Sequence, residues 1–206
     1  MSQLVERSKY NKLLREALEE TLNYAKAYRA SRQQAADWVL QNPDSLEDLL
    51  KFCADESTDR SHKAAWVLEF VCKAHMELLL PHLDLFCAII PELKKHQAKR
   101  PFAKITELLC LAYYKDIDDA VRSSLNREHR EALTAACFDW VINEEKVACK
   151  AYSIQSLYYL GTEFDWVHPE LQMILQEGYA KHSAGYKART RTFLAKIEKF
   201  QAGKTP

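Results

Sequence analysis

Leu14, Leu18, Leu22 and Ala25 recur three or four residues apart with charged residues between them, so a helix from about Gln3 or Ser8 to Tyr28 carries one apolar stripe. Ser31, with Gln34 at the capping-box position, opens a second helix carrying Ala35, Trp38 and Val39, and Pro43 ends it. Ser45, followed three residues later by Asp48, starts a short helix bearing Leu46, Leu49, Leu50 and Cys53. After the polar corner at residues 55–59, Asp59 or Ser61 caps a helix with Ala64, Ala65, Val67, Leu68, Val71 and Cys72 on its inner face. Pro81 stops that helix and begins the next, whose stripe is Leu83, Phe86, Cys87 and Ile90. Lys99-Arg100-Pro101 opens another, through Ile105, Leu108, Leu109 and Ala112. Residues 115–126 break the period and read as an ordered loop or a short extra helix. The period returns over 128–142 and 145–160, where Gly161 is placed as a left-handed stop. Pro169 stands near the start of a helix with Leu171, Ile174 and Leu175, and a last helix runs from Ser183 to Gln201 on Tyr186, Phe193, Leu194, Ile197 and Phe200.

A register repeats within this pattern. Lys63-Ala64-Ala65-Trp66-Val67-Leu68 is echoed by Phe102-Ala103-Lys104-Ile105 and by Lys150-Ala151-Tyr152-Ser153-Ile154. Ala103 lies 39 residues after Ala64 and Ala151 lies 87 after it, close to two units of 43 to 44. That period fits a two-helix repeat of the HEAT or armadillo kind, whose pairs bury their apolar faces only against neighbours. The expected fold is all-α: one domain over 1–206, a right-handed stack of antiparallel helix pairs with 1–28 and 183–201 as capping helices.

Composition narrows the picture. Only 4 Gly and 6 Pro in 206 residues leave few tight turns, and 48% apolar residues fill one sizeable core. Leu78-Leu79-Leu80 and similar runs are far too short to cross a bilayer, and the charged opening with Glu6, Arg7, Lys9, Lys12 and Arg15 has no apolar signal region, so a cytoplasmic protein is expected. Cys53, Cys72, Cys87, Cys110, Cys137 and Cys149 fall one per helical segment among apolar neighbours, as reduced core thiols do. The zero formal net charge hides an acidic middle, with 6 basic against 12 acidic residues over 115–177, and a basic end, with 7 against 1 over 178–206.

Several positions carry candidate chemistry. Arg60, Lys99, and Lys146 or Lys150 stand near the starts of repeat-leading helices, where a stack aligns them along one edge as a row for an acidic ligand; Asp55, Asp59, Glu144 or Glu145 offer corner partners. Glu69 and Glu107, 38 residues apart inside apolar helices, are the carboxylates a groove site would use, although one repeat step separates them by too much for direct contact. The histidines show no zinc spacing and are expected on the surface or at corners, and no cofactor motif is present. Helical spacing assigns Trp38, Trp66, Trp140 and Trp166 to the core. The doubled tyrosines cannot both face inward, so Tyr114 and Tyr159 are candidates for a shared peptide-anchoring surface. Lys181, Lys187, Arg189 and Arg191 form a local basic cluster for phosphate, in which Lys187 and Arg191 share a face and Arg189 points elsewhere.

Arg60, Ala64 to Val71, Pro81-His82-Leu83-Asp84, Arg100 to Lys104, Ala112-Tyr113-Tyr114, Cys137 to Trp140, Glu145 to Ala148, Lys150 to Ser153, Tyr179 to Lys181, and Ser183 to Arg189 together resemble a small helical family from Bacteroidetes bacteria, over about residues 30–195. The resemblance implies a HEAT-like fold and transfers no activity. Some members bear the label adenylosuccinate lyase, but that enzyme resembles a much longer fumarase-type chain with a Ser-rich signature loop, which no stretch here matches. A more distant likeness to HEAT-like DNA alkylation-repair glycosylases brings no complete nucleobase pocket. The leading expectation is therefore a non-enzymatic scaffold for a protein or peptide, with Arg60, Glu69, Arg100, Lys104, Glu107, Tyr114, Lys146, Lys150 and Tyr159 as partner-facing residues. A nucleic-acid binder using the basic end, and an enzyme with Glu69 or Glu107 in a polar groove, are the alternatives.

Overall fold

In a computed structural model, which describes residues 2–178 and 184–204, eleven α-helices, several 3₁₀ turns and one π-helical turn account for the regular structure, with no β-strand among the described residues. The chain forms two compact units, Met1–Pro101 and Phe102–Pro206.

In the first unit, α1 (Ser2–Tyr24) lies against α2 (Arg29–Gln41) and α4 (Arg60–Ala74), and α4 also packs on α3 (Leu46–Ala54). Leu18, Leu22, Val39, Leu49, Leu50, Val67, Leu68 and Val71 are fully buried there, each leucine contributing roughly 1.5–3 kcal/mol by leaving water. Helix α1 ends at Tyr24, four residues earlier than its stripe predicts. The cause is tertiary: Ser31 Oγ accepts from the Lys26 N–H and donates to the Tyr24 carbonyl, so this hydroxyl ties the turn instead of capping α2, which starts at Arg29. Helix α4 stops at Ala74, well before Pro81, because His75 leaves helical geometry; two 3₁₀ turns, Met76–Leu78 and Leu80–His82, then lead into α5 (Leu83–Ile89). Helix α6 (His96–Cys110) begins ahead of its proline, so Pro101 lies inside it and has no N–H for the Gln97 carbonyl.

The second unit takes the rest of α6, which widens into a π turn over Leu111–Asp116 and closes on Ile117 in the left-handed region, φ 57°. The irregular stretch is thus ordered, and it includes α7 (Asp119–Ser124), capped by Asp118 through a bond from the Val121 N–H at 3.0 Å. Asn126 caps α8 (Arg127–Ile142) in the same way, through the His129 N–H at 2.8 Å. Helix α9 (Val147–Leu160) is the centre of this unit, packed by α8, α10 (Val167–Gly178) and α11 (Ala184–Lys204). Gly161 follows α9 with φ −68°, right-handed backbone that any residue adopts, so the left-handed stop expected there is absent. The core prediction for tryptophan holds at Trp140, which is buried; Trp38 and Trp66 are half-buried, while Trp166 is 57% exposed and stacks on Phe138. His129 and His168, expected on the surface or at corners, lie in the first turns of α8 and α10 and are buried.

All six cysteines are free thiols. Burial pushes the thiols of Cys53, Cys72 and Cys137 far up and those of Cys87 and Cys110 to about 12. A thiol raised in the folded state contributes stability that is intact below its unfolded value of about 8.5 and is lost as pH rises further. The thiolate is the reactive form, so a disulfide reagent at pH 7 is expected to label the native chain slowly and all six thiols at once in guanidinium. Rapid native labelling of several thiols, followed by absorbance, would contradict this burial.

Among the described residues no single helix is long and apolar enough to cross a membrane; α4 with the segment Met76–Glu92 has the length and composition, but that pair is bent by 119°.

Candidate functional site

Glu69 sits on the inner side of α4 and is 2% exposed. One helical turn on, Lys73 pairs with its Oε1, and Arg100 from α6 donates Nη2 to its Oε2 at 2.6 Å. A buried carboxylate needs such partners, and two cations more than neutralise it. Beside it, the Arg32 guanidinium lies over the Trp66 and Phe70 rings, 5.5 Å from each centroid, and gives Nη2 to the Ala27 carbonyl at 2.8 Å. Arg32 Nε is buried with no acceptor. Arg32, Glu69, Phe70, Lys73 and Arg100 line an open cleft of about 410 Å³ with Arg29, Gln33 and Ala74. Four cations there face one carboxylate. Elsewhere in the first unit a cleft of about 450 Å³ between α1 and α3 has three cations against three carboxylates, with Arg15–Asp48 and Lys51–Glu47 already paired. A third, of about 210 Å³ around Trp38, has no charged lining residue.

The second unit repeats the clamp. Glu107 is 3% exposed and pairs with Lys104, whose ammonium lies 4.8 Å from the Tyr152 ring centre. Arg189 reaches in from α11, donating Nη2 to Glu107 at 3.2 Å and to Gln155 at 2.6 Å, and Nε to the Ala151 carbonyl at 3.3 Å. Glu69 and Glu107 are therefore each held between a lysine and an arginine, and neither is paired with a second carboxylate.

The half-buried Tyr114 and Tyr159 lie side by side, their rings parallel within 9° and centroids 6.5 Å apart. Tyr114 also donates its hydroxyl to Glu163 at 2.6 Å, while Arg130 grips the same carboxylate with Nε at 2.9 Å and Nη2 at 2.8 Å. Burial, together with the adjoining carboxylate, pushes the Tyr114 phenol far up; burial also raises Tyr159. For Glu163 burial opposes ionisation, but the bonds from Arg130 and Tyr114 outweigh it and hold the carboxyl below its ordinary value.

The remaining expected residues separate. Arg60 pairs with Glu19 of α1 and lies over the Phe52 ring, holding the first helix down. Lys150 is buried, its ammonium donating to the Val141 carbonyl at 2.7 Å near the end of α8, and burial lowers its pKa. Lys146 is exposed at the start of α9, in contrast to the buried Lys150. Arg189 turns inward while Arg191 is exposed; Lys187 is half-buried, and Lys181 lies outside the described residues. Arg29, Arg32 and Lys73 are the cleft residues that reading the sequence missed. Spacing held part of the signal, since Arg29 and Arg32 are three apart and Glu69 and Lys73 four apart, but nothing local aims α2 at α4.

Chemically, the cleft offers cations and an aromatic floor. No group of three metal-ligating side chains occurs among the described residues. Residues 14–197 match the family model described as a HEAT repeat domain. That match reaches neither the Bacteroidetes group nor an adenylosuccinate lyase. No curated protein and no solved structure matches the chain.

Proposed function

The chain belongs to the HEAT repeat domain family, whose stacked helices present extended surfaces, and on that premise we propose that it is a non-enzymatic scaffold that binds a protein or peptide. The cleft between α2, α4 and α6 carries this reading: it is open, walled by rigid helices, floored by Phe70, and roomy enough for several side chains of a partner. The other partner-facing candidates support it less. Lys104, Glu107, Tyr114 and Lys150 serve contacts within the second unit, and Arg60 does so within the first. The enzyme alternative is weakened because Glu69 and Glu107 are each engaged by two cations, and the nucleic-acid alternative because Arg189 leaves the basic end for Glu107.

Selection of random displayed peptides on the immobilised full chain tests the proposal. Enriched peptides should bind the wild type and lose at least about tenfold in affinity on Phe70→Ala or Arg100→Gln, in line with loss of about 1.4 kcal/mol or more at a central contact. Arg100→Gln leaves Lys73 on Glu69, so the carboxylate stays paired. Enriched peptides indifferent to both changes, or no enrichment at all, would sink the proposal.

A further inference from the structure

We infer that the α2/α4/α6 cleft recognises an acidic peptide segment, its carboxylates met by Arg29, Arg32, Lys73 and Arg100; this rests on the scaffold reading above. The charge count comes first. Lys73 and Arg100 pair with the buried Glu69 carboxylate, so the lining keeps an excess of three formal positive charges after that carboxylate is counted. The neighbouring cleft near α1, equally open to solvent, has no such excess, so a general abundance of surface lysine and arginine does not explain it.

Arg32 adds an independent observation. Its guanidinium lies 5.5 Å from the Trp66 and Phe70 ring centres and donates to the Ala27 carbonyl, which fixes a planar cation in the cleft lining. A carboxylate is planar and matches a guanidinium's fork of N–H donors.

Glu69 is a positioning residue in this account. By anchoring one N–H of Arg100 and the ammonium of Lys73 it fixes where the two positive heads lie, which lowers the ordering cost of binding. The cations come from three helices and flank Phe70, so they suit a segment with several acidic side chains and an apolar one between them better than a single small anion.

The test is fluorescence anisotropy with the full chain and three labelled probes: an octapeptide alternating glutamate and leucine, the same peptide with glutamine for glutamate, and a twelve-nucleotide single-stranded DNA. The glutamate peptide should bind at least about tenfold tighter than the glutamine peptide and weaken as sodium chloride rises from 50 to 300 mM, roughly as expected for exposed opposite charges. Arg29→Glu and Lys73→Glu, at exposed positions, should each weaken it about tenfold or more, while Lys9→Glu leaves it unchanged; unaltered circular dichroism checks the fold. If either reversal disturbs folding, Arg29→Gln provides the milder comparison, with a loss of at least threefold expected. Equal binding of the two peptides overturns the acidic partner and leaves the scaffold standing. Binding of neither peptide removes both, and DNA binding tighter than the glutamate peptide replaces the inference with a nucleic-acid surface.

Discussion

Replacing Gly161 by alanine is expected to destabilise the second unit by about 1–3 kcal/mol, the range for forcing a methyl into a filled space. Backbone conformation predicts the reverse sign: at φ −68° an alanine fits and would stabilise by roughly 0.4–1 kcal/mol through the unfolded chain. The opposing term is His168. A β-carbon at position 161 would lie 2.1 Å from His168 Cδ2 and 2.5 Å from Nε2, far inside van der Waals contact. The ring has little room to retreat, since Nε2 donates to the Tyr158 carbonyl at 2.8 Å and the imidazole packs on Tyr158 and edge-on to Phe200. Urea unfolding measures the effect. Gly161→Ala combined with His168→Ala should cost less than the two single changes added together, because the clash is counted in only one of them. A Gly161→Ala midpoint at or above the wild type would show that the ring gives way freely.

The second large effect is expected at Arg130. Changing it to methionine roughly keeps the volume but takes both guanidinium bonds from Glu163, which retains the Tyr114 hydroxyl, takes the donor from the Leu125 carbonyl, and removes the guanidinium from the Tyr113 ring 4.5 Å away. Breaking a buried pair costs about 3–5 kcal/mol; Glu163 is 28% exposed, so about 2–3 kcal/mol is the expected loss at pH 7. The acid dependence has a definite sign. The Glu163 carboxyl titrates lower in the folded chain than unfolded, so its contribution is complete above an unfolded value of about 4.3 and fades as pH falls through the folded one. The stability gap between wild type and Arg130→Met should therefore narrow below pH 4. A gap unchanged between pH 7 and pH 3 would place the value of Arg130 in packing alone.

Periodicity found the helices that bury one stripe, such as α4 with Ala64, Val67, Leu68 and Val71, because the same spacing that predicts the face also produces the burial. It lost the ends. Tyr24 closes α1 through Ser31, and a hydroxyl has the same one-letter signature whether it caps its own helix or ties the previous one. Gly161 was found as a boundary for the wrong reason, since its lack of a side chain answers a histidine seven residues on instead of a left-handed backbone. The site was legible in halves. Glu69 stands out as a charge within an apolar face, and Lys73 follows by helical spacing, but Arg100 is 31 residues away and Arg189 is 82 from Glu107. Those partners depend on how helices are placed against one another, which no local pattern encodes.

The π turn at Leu111–Asp116 explains an unevenness in the chain's own ruler. Ala64 and Ala103 are 39 residues apart, whereas Ala103 and Ala151 are 48 apart, and the surplus lies where the wide turn and α7 have been taken up. One additional residue in a turn advances the phase of all that follows by about 100°, enough to swing a helix face sideways. The detour through Ile117 and α7 sets α8 and α9 on a fresh phase, so the later helices need not share α6's reading frame. Length has thus been uncoupled from packing at this corner. Residues gained or lost here over evolutionary time would alter the spacing of the repeat while leaving the register within each helix pair untouched.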